Sequence, residues 1–290
     1  MINIKKGIGL MKKKRKKSRR KKRVLFLLAE IVILAVLLAV GYVILKYDKF
    51  QVTSFDEGDI KVNEGANQEG YTTVALFGGD SREGQLEEGT HADCIIVATI
   101  DNQTKEVKMV SVYRDTLTEQ MNGEIKKANN AYFTGGPQDA INMLNKNLDL
   151  EIDDYAVFNW KAVAEAINIL GGVDIEITKK EFYYINAFIT ETVKATGIPS
   201  TQLKKAGMNH LDGVQAVAYG RLRLMDTDYE RTARQRKVIS LAFEKAKKAD
   251  WATLNNVIQT LLVTEQDVDT SIDLDDIVKM ARGITKLHMG

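Results

Sequence analysis

The stretch "TTVALFGGDSR", Thr72 to Arg82, decides the fold. Its first six residues are β-branched or apolar, and two glycines follow, so it reads as a buried strand that ends in a tight turn. Beyond the strand end come a carboxylate and a guanidinium, where glycines let backbone approach a ligand. "CIIVATI" (94–100) is a second apolar run, "DNQT" (101–104) a turn, and "EVKMVSV" (106–112) alternates, which predicts a hairpin over 94–112. "VDIEIT" (173–178) is a further strand. Helical spacing appears in "PQDAINMLNKNL" (137–148), with Pro137 in the first turn, and in "KAVAEAINILGG" (161–172), closed by Gly171. "TDYERTARQRKVISLAFEKAKK" (227–248) is a long helix opened by a Thr227–Glu230 capping box, and a last helix is expected within 273–287. Interleaved strands and helices give an α/β class, with a central mixed β-sheet flanked by helices.

Charge divides the 290 residues. Residues 1–23 carry 13 Lys/Arg and no acid, and residues 24–45 ("VLFLLAEIVILAVLLAVGYVIL") hold one charge, Glu30. Twenty-two helical residues span about 33 Å, enough for a hydrocarbon core of roughly 30 Å. Basic residues stay cytoplasmic, so the expectation is a basic inner tail (1–23), one retained transmembrane helix (24–45), a polar stalk (46–71) and an extracytoplasmic catalytic domain (72–290). Residues 46–290 hold 28 basic and 38 acidic residues, a formal charge of −10. Such an acidic body argues against nucleic-acid binding. A single cysteine, Cys94, excludes an intramolecular disulfide, and the three histidines lack metal-ligand spacing.

Four polar stretches sit at element ends. "GGDSR" (78–82) offers Asp80 and Arg82, and "HADC" (91–94) offers Asp93. Two carboxylates with substrate phosphates suit Mg2+, although a capping role is the simpler reading of Asp93. "SVYRDT" (111–116) offers Arg114 and Asp115, either a surface ion pair or a guanidinium aimed into a cleft. "YGRLRLMDTDYERTARQRK" (219–237) holds five arginines. Arg221 and Arg223 share a face if the segment is extended, and Arg231, Arg234 and Gln235 share a helix face. Arginine opposes the macrodipole at a helix amino terminus, and a bound anion would resolve that conflict, with Asp228 holding the arginines. Arg236 and Lys237 fall off that face. Neither Ser81 nor Ser111 has a histidine partner, so the implied chemistry is displacement at a polyanionic phosphate.

Seven segments in order resemble the LytR–CpsA–Psr family: "LFGGDSR" (76–82), "SVYRDT" (111–116), "KANNAYFTGG" (127–136), "IDDYAVFNW" (152–160), "GGVDIEI" (171–177), "LDGVQAVAYGRLR" (211–223) and "DTDYERTARQR" (226–236). The resemblance implies an extracytoplasmic domain with an apolar polyprenyl pocket. It also implies a Mg2+-dependent phosphotransferase that moves a glycopolymer, such as teichoic acid or capsular polysaccharide, from a polyprenyl pyrophosphate carrier to peptidoglycan. Carried over by residue, Asp80 and Asp93 are the metal acids. Arg82, Arg114, Arg221, Arg223, Arg231 and Gln235 form the pyrophosphate site, and Asp228 is its buttress. His91, Cys94, Gly79 and Tyr113 depart from the family pattern, and "EFYYINAFITETV" (181–193) could line the pocket mouth or simply pack. Competing readings are a membrane-bound transcriptional attenuator, and a polyprenyl pyrophosphate binder or hydrolase.

Overall fold

Burial along the first strand explains its place in the sheet. In a computed structural model, which describes residues 59–66, 68–79, 89–223, 227–263 and 268–290, β1 (Tyr71–Gly79) is buried almost continuously from Thr73. A strand covered on both faces belongs inside a sheet. β1 lies between β2 (Ala92–Asp101), antiparallel, and β6 (Asp154–Phe158), parallel. β3 (Glu106–Ser111) continues the hairpin and is flanked only by the two-residue β10 (His288–Met289), while β9 (Val268–Thr270) closes the other edge. The alternation in β3 fits that near-edge position, with one face wet. The result is a six-stranded mixed sheet with helices against it, as expected, and the hairpin begins two residues earlier than the apolar run suggested.

A short hairpin of β4 (Leu117–Glu119) and β5 (Ile125–Lys127) leads into α1 (Ala128–Leu148). α1 is broken at Gly135 and Gly136, whose φ of 63° no ordinary side chain favours, and Pro137 opens the second half. The predicted helix is therefore only the second half of this element. Ala131, Tyr132, Ile141 and Leu144 pack on Ala75, Phe77, Ile95 and Val97, forming one core on one face of the sheet.

A second core gathers α2 (Trp160–Ile169), α3 (Lys179–Thr196), α4 (Gly213–Arg221) and α5 (Asp228–Lys248) around the pair β7 (Val173–Ile177) and β8 (Gly207–Leu211). β7 was expected among the strands, but it belongs to this separate two-stranded sheet, not the central one. Its pattern is one-faced: Val173, Ile175 and Ile177 are buried while Asp174 and Glu176 are exposed. α2 ends as its glycines predict. Gly171 N donates to Asn168 O and Gly172 N to Ile167 O, the paired bonds of a Schellman cap. α6 (Trp251–Val263) and α7 (Leu274–Gly283) complete the chain, and a 3-10 turn at Ile284–Lys286 takes the place of the last predicted helical turn.

The predicted stalk needs a correction at its carboxyl end. Ile60 packs on the first core, Lys61 N donates to Asn142 Oδ1 at 2.7 Å, and Asn63 Nδ2 donates to Lys146 O at 2.9 Å. These backbone and amide groups dock residues 59–63 on α1. The predicted inner tail and membrane span (1–45) lie outside the described residues, as do Asp80, Ser81 and Arg82. Among the described residues no helix is long and apolar enough to cross a membrane.

Candidate active site

The β1–β2 ladder keeps register from Tyr71–Asp101 to Gly78–Cys94 and then shifts, so that Gly79 pairs with Ala92. Asp93 is the extra residue at this bulge, a device that bends a strand end and re-aims a side chain. Gly78 permits it, because a Cβ there would sit 2.9 Å from Cys94 Cβ.

Asp93 meets three guanidiniums from three elements. Arg114, beyond β3, donates from Nη1 to Asp93 Oδ1 at 2.7 Å. Arg223, two residues past α4, donates from Nη2 to Oδ2 at 2.6 Å. Arg231, in α5, donates from Nη2 to the Asp93 carbonyl at 3.3 Å and pairs with Asp228 Oδ1 at 2.6 Å. Arg114 also lies 3.5 Å from Asp115, which is itself held by Lys127 at 2.6 Å.

Burial sets the electrostatics. The Arg231 side chain is 4% exposed; burial pulls its pKa down, and Asp228 pulls the other way. For Arg114 burial also opposes the charge, but the Asp93 hydrogen bond and the surrounding carboxylates outweigh it and raise its pKa. Both guanidiniums stay charged at any physiological pH. Burial pushes the Cys94 thiol up to about 12, against the pull of Arg231. It is a neutral thiol near pH 7, unsuited to nucleophilic attack.

The cluster keeps unspent hydrogen-bonding groups. Arg231 Nε and Asp228 Oδ2 are buried and make no hydrogen bond, and the buried Arg114 Nε has its ion-pair contact with Asp115 at 3.5 Å. Folded proteins leave few such groups, and donors left over beside a carboxylate suit an arriving anion.

Three expectations from the arginine-rich stretch change. Arg221 is not in an extended segment with Arg223: it is the last residue of α4, and its guanidinium stacks 3.4 Å over Trp160 and donates to Thr192 Oγ1 at 2.7 Å. Arg234 is 6% exposed and donates from Nη2 to Leu222 O at 2.9 Å, tying α5 to the end of α4. Gln235 packs near Gly220 on the same side. The macrodipole conflict is also met inside the protein, because Thr227 and Glu230 form the capping box and Asp228 places a carboxylate beside Arg231.

Arg114, Arg223 and Asp93 line an open cleft of about 610 Å³. Its other lining residues include His91, Leu117, Lys126, Lys127, Asn129 and Asn130. Reading the sequence assigned no role to the last four, because the helix start that places them lies nine residues before the predicted one at Pro137. Ile141 and Leu144 of α1 and Ile167 of α2 lie in core, not on this cleft.

A metal can be judged by donor chemistry. Among the described residues no three His, Cys, Asp or Glu side chains gather, and both Asp93 oxygens are taken by arginines. Mg2+ needs only one or two carboxylates with substrate phosphates and water. Asp93 is a carboxylate of that type, with both its oxygens on arginines here, and Asp228 Oδ2 makes no hydrogen bond.

Comparison with known proteins agrees with this architecture. The LytR_cpsA_psr family model matches residues 42–289. A protein of Enterococcus faecalis named polyisoprenyl-teichoic acid–peptidoglycan teichoic acid transferase TagU is 29% identical over 74% of this chain and 66% of its own length. A TagU of Halalkalibacterium halodurans is 30% identical over 70% of this chain and 62% of its own. An uncharacterised Staphylococcus aureus protein is 29% identical over 70% of this chain and 48% of its own, so the chain spans about half to two thirds of these curated relatives. Among solved structures, TagT bound to LIIa-WTA aligns with TM-score 0.60 at 24% identity, covering 82% of this chain and 80% of that one. TagT with bound octaprenyl pyrophosphate lipid aligns with TM-score 0.57 at 22% identity, covering 82% and 83%. At such identities the structures speak for the fold, and the family match speaks for descent. This chain belongs to the LytR–CpsA–Psr family.

Proposed function

We propose that the protein is a membrane-anchored phosphotransferase that moves an anionic glycopolymer of teichoic acid or capsular type from a polyprenyl pyrophosphate carrier to peptidoglycan. The observation that carries this reading is the arginine cluster at the Asp93 bulge, with the buried Arg231 Nε left without a hydrogen bond beside it. Arg114, Arg223 and Arg231 hold the diphosphate and neutralise charge as it develops, and Arg82 joins them. Arg221 and Gln235 act from the α4 side, Arg221 after leaving Trp160. A hydroxyl of peptidoglycan attacks the polymer-side phosphorus. The bond from that phosphorus to the bridging oxygen breaks, polyprenyl phosphate leaves with the electron pair, and a phosphodiester remains. The hydroxyl proton passes to a carboxylate near Asp80. Mg2+, held by Asp80 and Asp93, supplies charge neutralisation at the phosphates when bound.

The prenyl chain is assigned to the half-buried aromatic surface of Trp160, Phe182, Tyr184 and Phe188 over the second core. The family relatives named as teichoic acid transferases support the reaction class. The apolar run at 24–45 supports a single amino-terminal anchor with the catalytic domain outside the cell.

The test is transfer by the full-length protein in nanodiscs, with lipid-linked teichoic acid precursor, peptidoglycan and Mg2+. Linked product is expected. Arg231→Ala should lose about 100-fold in rate, the size of one removed charge-stabilising donor, and chelation of Mg2+ should suppress transfer. Wild-type rates in the variant would refute the site, and release of free polymer would mark a hydrolase.

A further inference from the structure

The β4–β5 hairpin turns one face inward and one outward. Thr118 and Gln120, two residues apart, are buried. Leu117 and Ile125 lie on the other face, 70% and 61% exposed, opposite Lys127 and Glu119 in the ladder. Residues paired across a ribbon, and residues two apart along it, share a face, so the two apolar side chains are diagonal neighbours. The turn from Tyr113 to Thr116, closed by Thr116 N donating to Tyr113 O at 2.9 Å, leads into this face. Tyr113 meets the 64% exposed Tyr229 edge to face, with ring centroids 4.4 Å apart. Single exposed apolar residues are ordinary, but two adjacent ones beside a tyrosine pair mark a contact surface.

The balance of charge argues against a polyelectrolyte partner. Over 114–127 the basic residues Arg114, Lys126 and Lys127 are matched by the acids Asp115, Glu119 and Glu124. Exposed leucine, isoleucine and tyrosine without net charge suit a bilayer interface, where tyrosine concentrates. Placement points the same way. Lys146 of α1 holds the hairpin through its ammonium, 2.8 Å from Glu119, and its carbonyl accepts from Asn63 in the segment that follows the stalk. Asn147 adds two bonds, donating from Nδ2 to the Glu119 carbonyl at 2.9 Å and accepting at Oδ1 from the Glu119 amide at 3.0 Å. Thirteen residues, 46–58, join the docked segment to the apolar run 24–45, a reach of at most about 45 Å even when extended. The hairpin thus shares its helix with the point where the tether enters the domain. We infer that the outer face of β4–β5, centred on Leu117 and Ile125, is a membrane-contact surface. Arg114 stands in the turn beside it, so this contact sets the arginines at headgroup level, where a lipid diphosphate lies. The inference rests on the membrane-anchor reading above for its setting, but on separate residues for its own chemistry.

The test uses full-length protein, one copy per nanodisc, with an environment-sensitive dye on Ile125→Cys or, as a control on the separate β7–β8 sheet, on the exposed Met208→Cys. Labelling near neutral pH spares Cys94, whose thiol burial pushes up to about 12. Lipid carrying a quencher just below the headgroups should remove about half the emission at position 125, the depth at which interfacial side chains lie, and leave position 208 unchanged. Leu117→Asp should abolish most of that quenching, and salt at about 1 M should not, because the contact is apolar. No quenching at 125, or equal quenching at both positions, overturns the membrane contact, as does quenching lost in salt. An emission shift at 125 only when two copies share a disc assigns the face to a second copy and also overturns it. Failure of the chain to enter nanodiscs contradicts the anchor reading separately. Vesicles of the same lipids added to the labelled protein then decide the face alone, quenching at 125 supporting it and none overturning it.

Discussion

Arg231 and Arg234 stand three residues apart on one helix, and both are buried. Arg231 faces the Asp93 bulge and Asp228. Arg234 turns to the Leu222 carbonyl and holds two helices together. Arg223 and Arg221, two residues apart, divide the same way: one joins Asp93, and the other lies on Trp160 and Thr192. One arginine-rich stretch therefore serves two regions, a charged site and a structural joint. Residue type and burial do not distinguish them; partners do.

The largest expected effect is on the charged side. Arg231→Ala strands Asp228, which is partly covered, and should cost about 3 kcal/mol of stability in urea unfolding, at the low end for breaking a buried pair. The double change Arg231→Ala with Asp228→Ala should recover part of that loss; no recovery would mean that the pair is not coupled. Arg234→Ala removes a charged donor from a buried carbonyl and should cost about 2 kcal/mol. Its transfer rate per folded molecule should stay within about twofold of wild type, and a larger fall would move Arg234 into the site. Arg221→Lys keeps the charge and loses the flat stack on Trp160, with a change near 1 kcal/mol in thermal unfolding. The least effect belongs to a surface pair such as Lys247 and Glu244, where Glu244→Ala should shift stability by under about 0.5 kcal/mol.

Much of this was legible in the residues. β1 was readable because burial on both faces leaves a continuous apolar run, and α5 because Thr227 and Glu230 are spaced for reciprocal capping. The Schellman end of α2 followed from Gly171. The bulge was not legible. Asp93 is displaced by a one-residue register shift, and register depends on the partner strand. The same limit hid the turn of Arg221, since α4 continues through it where spacing alone allowed an extended segment. The separate β7–β8 sheet was also out of reach, because alternation shows that a strand has one wet face but not which strand pairs with it. The cleft residues Asn129 and Asn130 became visible only when β4 and β5 brought the start of α1 beside Arg114.

The central claim is that the guanidiniums at Asp93 bind a diphosphate while Arg234, turned to the Leu222 carbonyl, does not. The direct measurement is calorimetric titration of the full-length protein in detergent with a prenyl diphosphate and the matching prenyl monophosphate. Wild type and Arg234→Ala should prefer the diphosphate by about tenfold, one charged contact's worth, and Arg223→Ala should lose most of that preference. Equal affinity for both lipids in the wild type, or a preference that survives Arg223→Ala undiminished, would contradict the account.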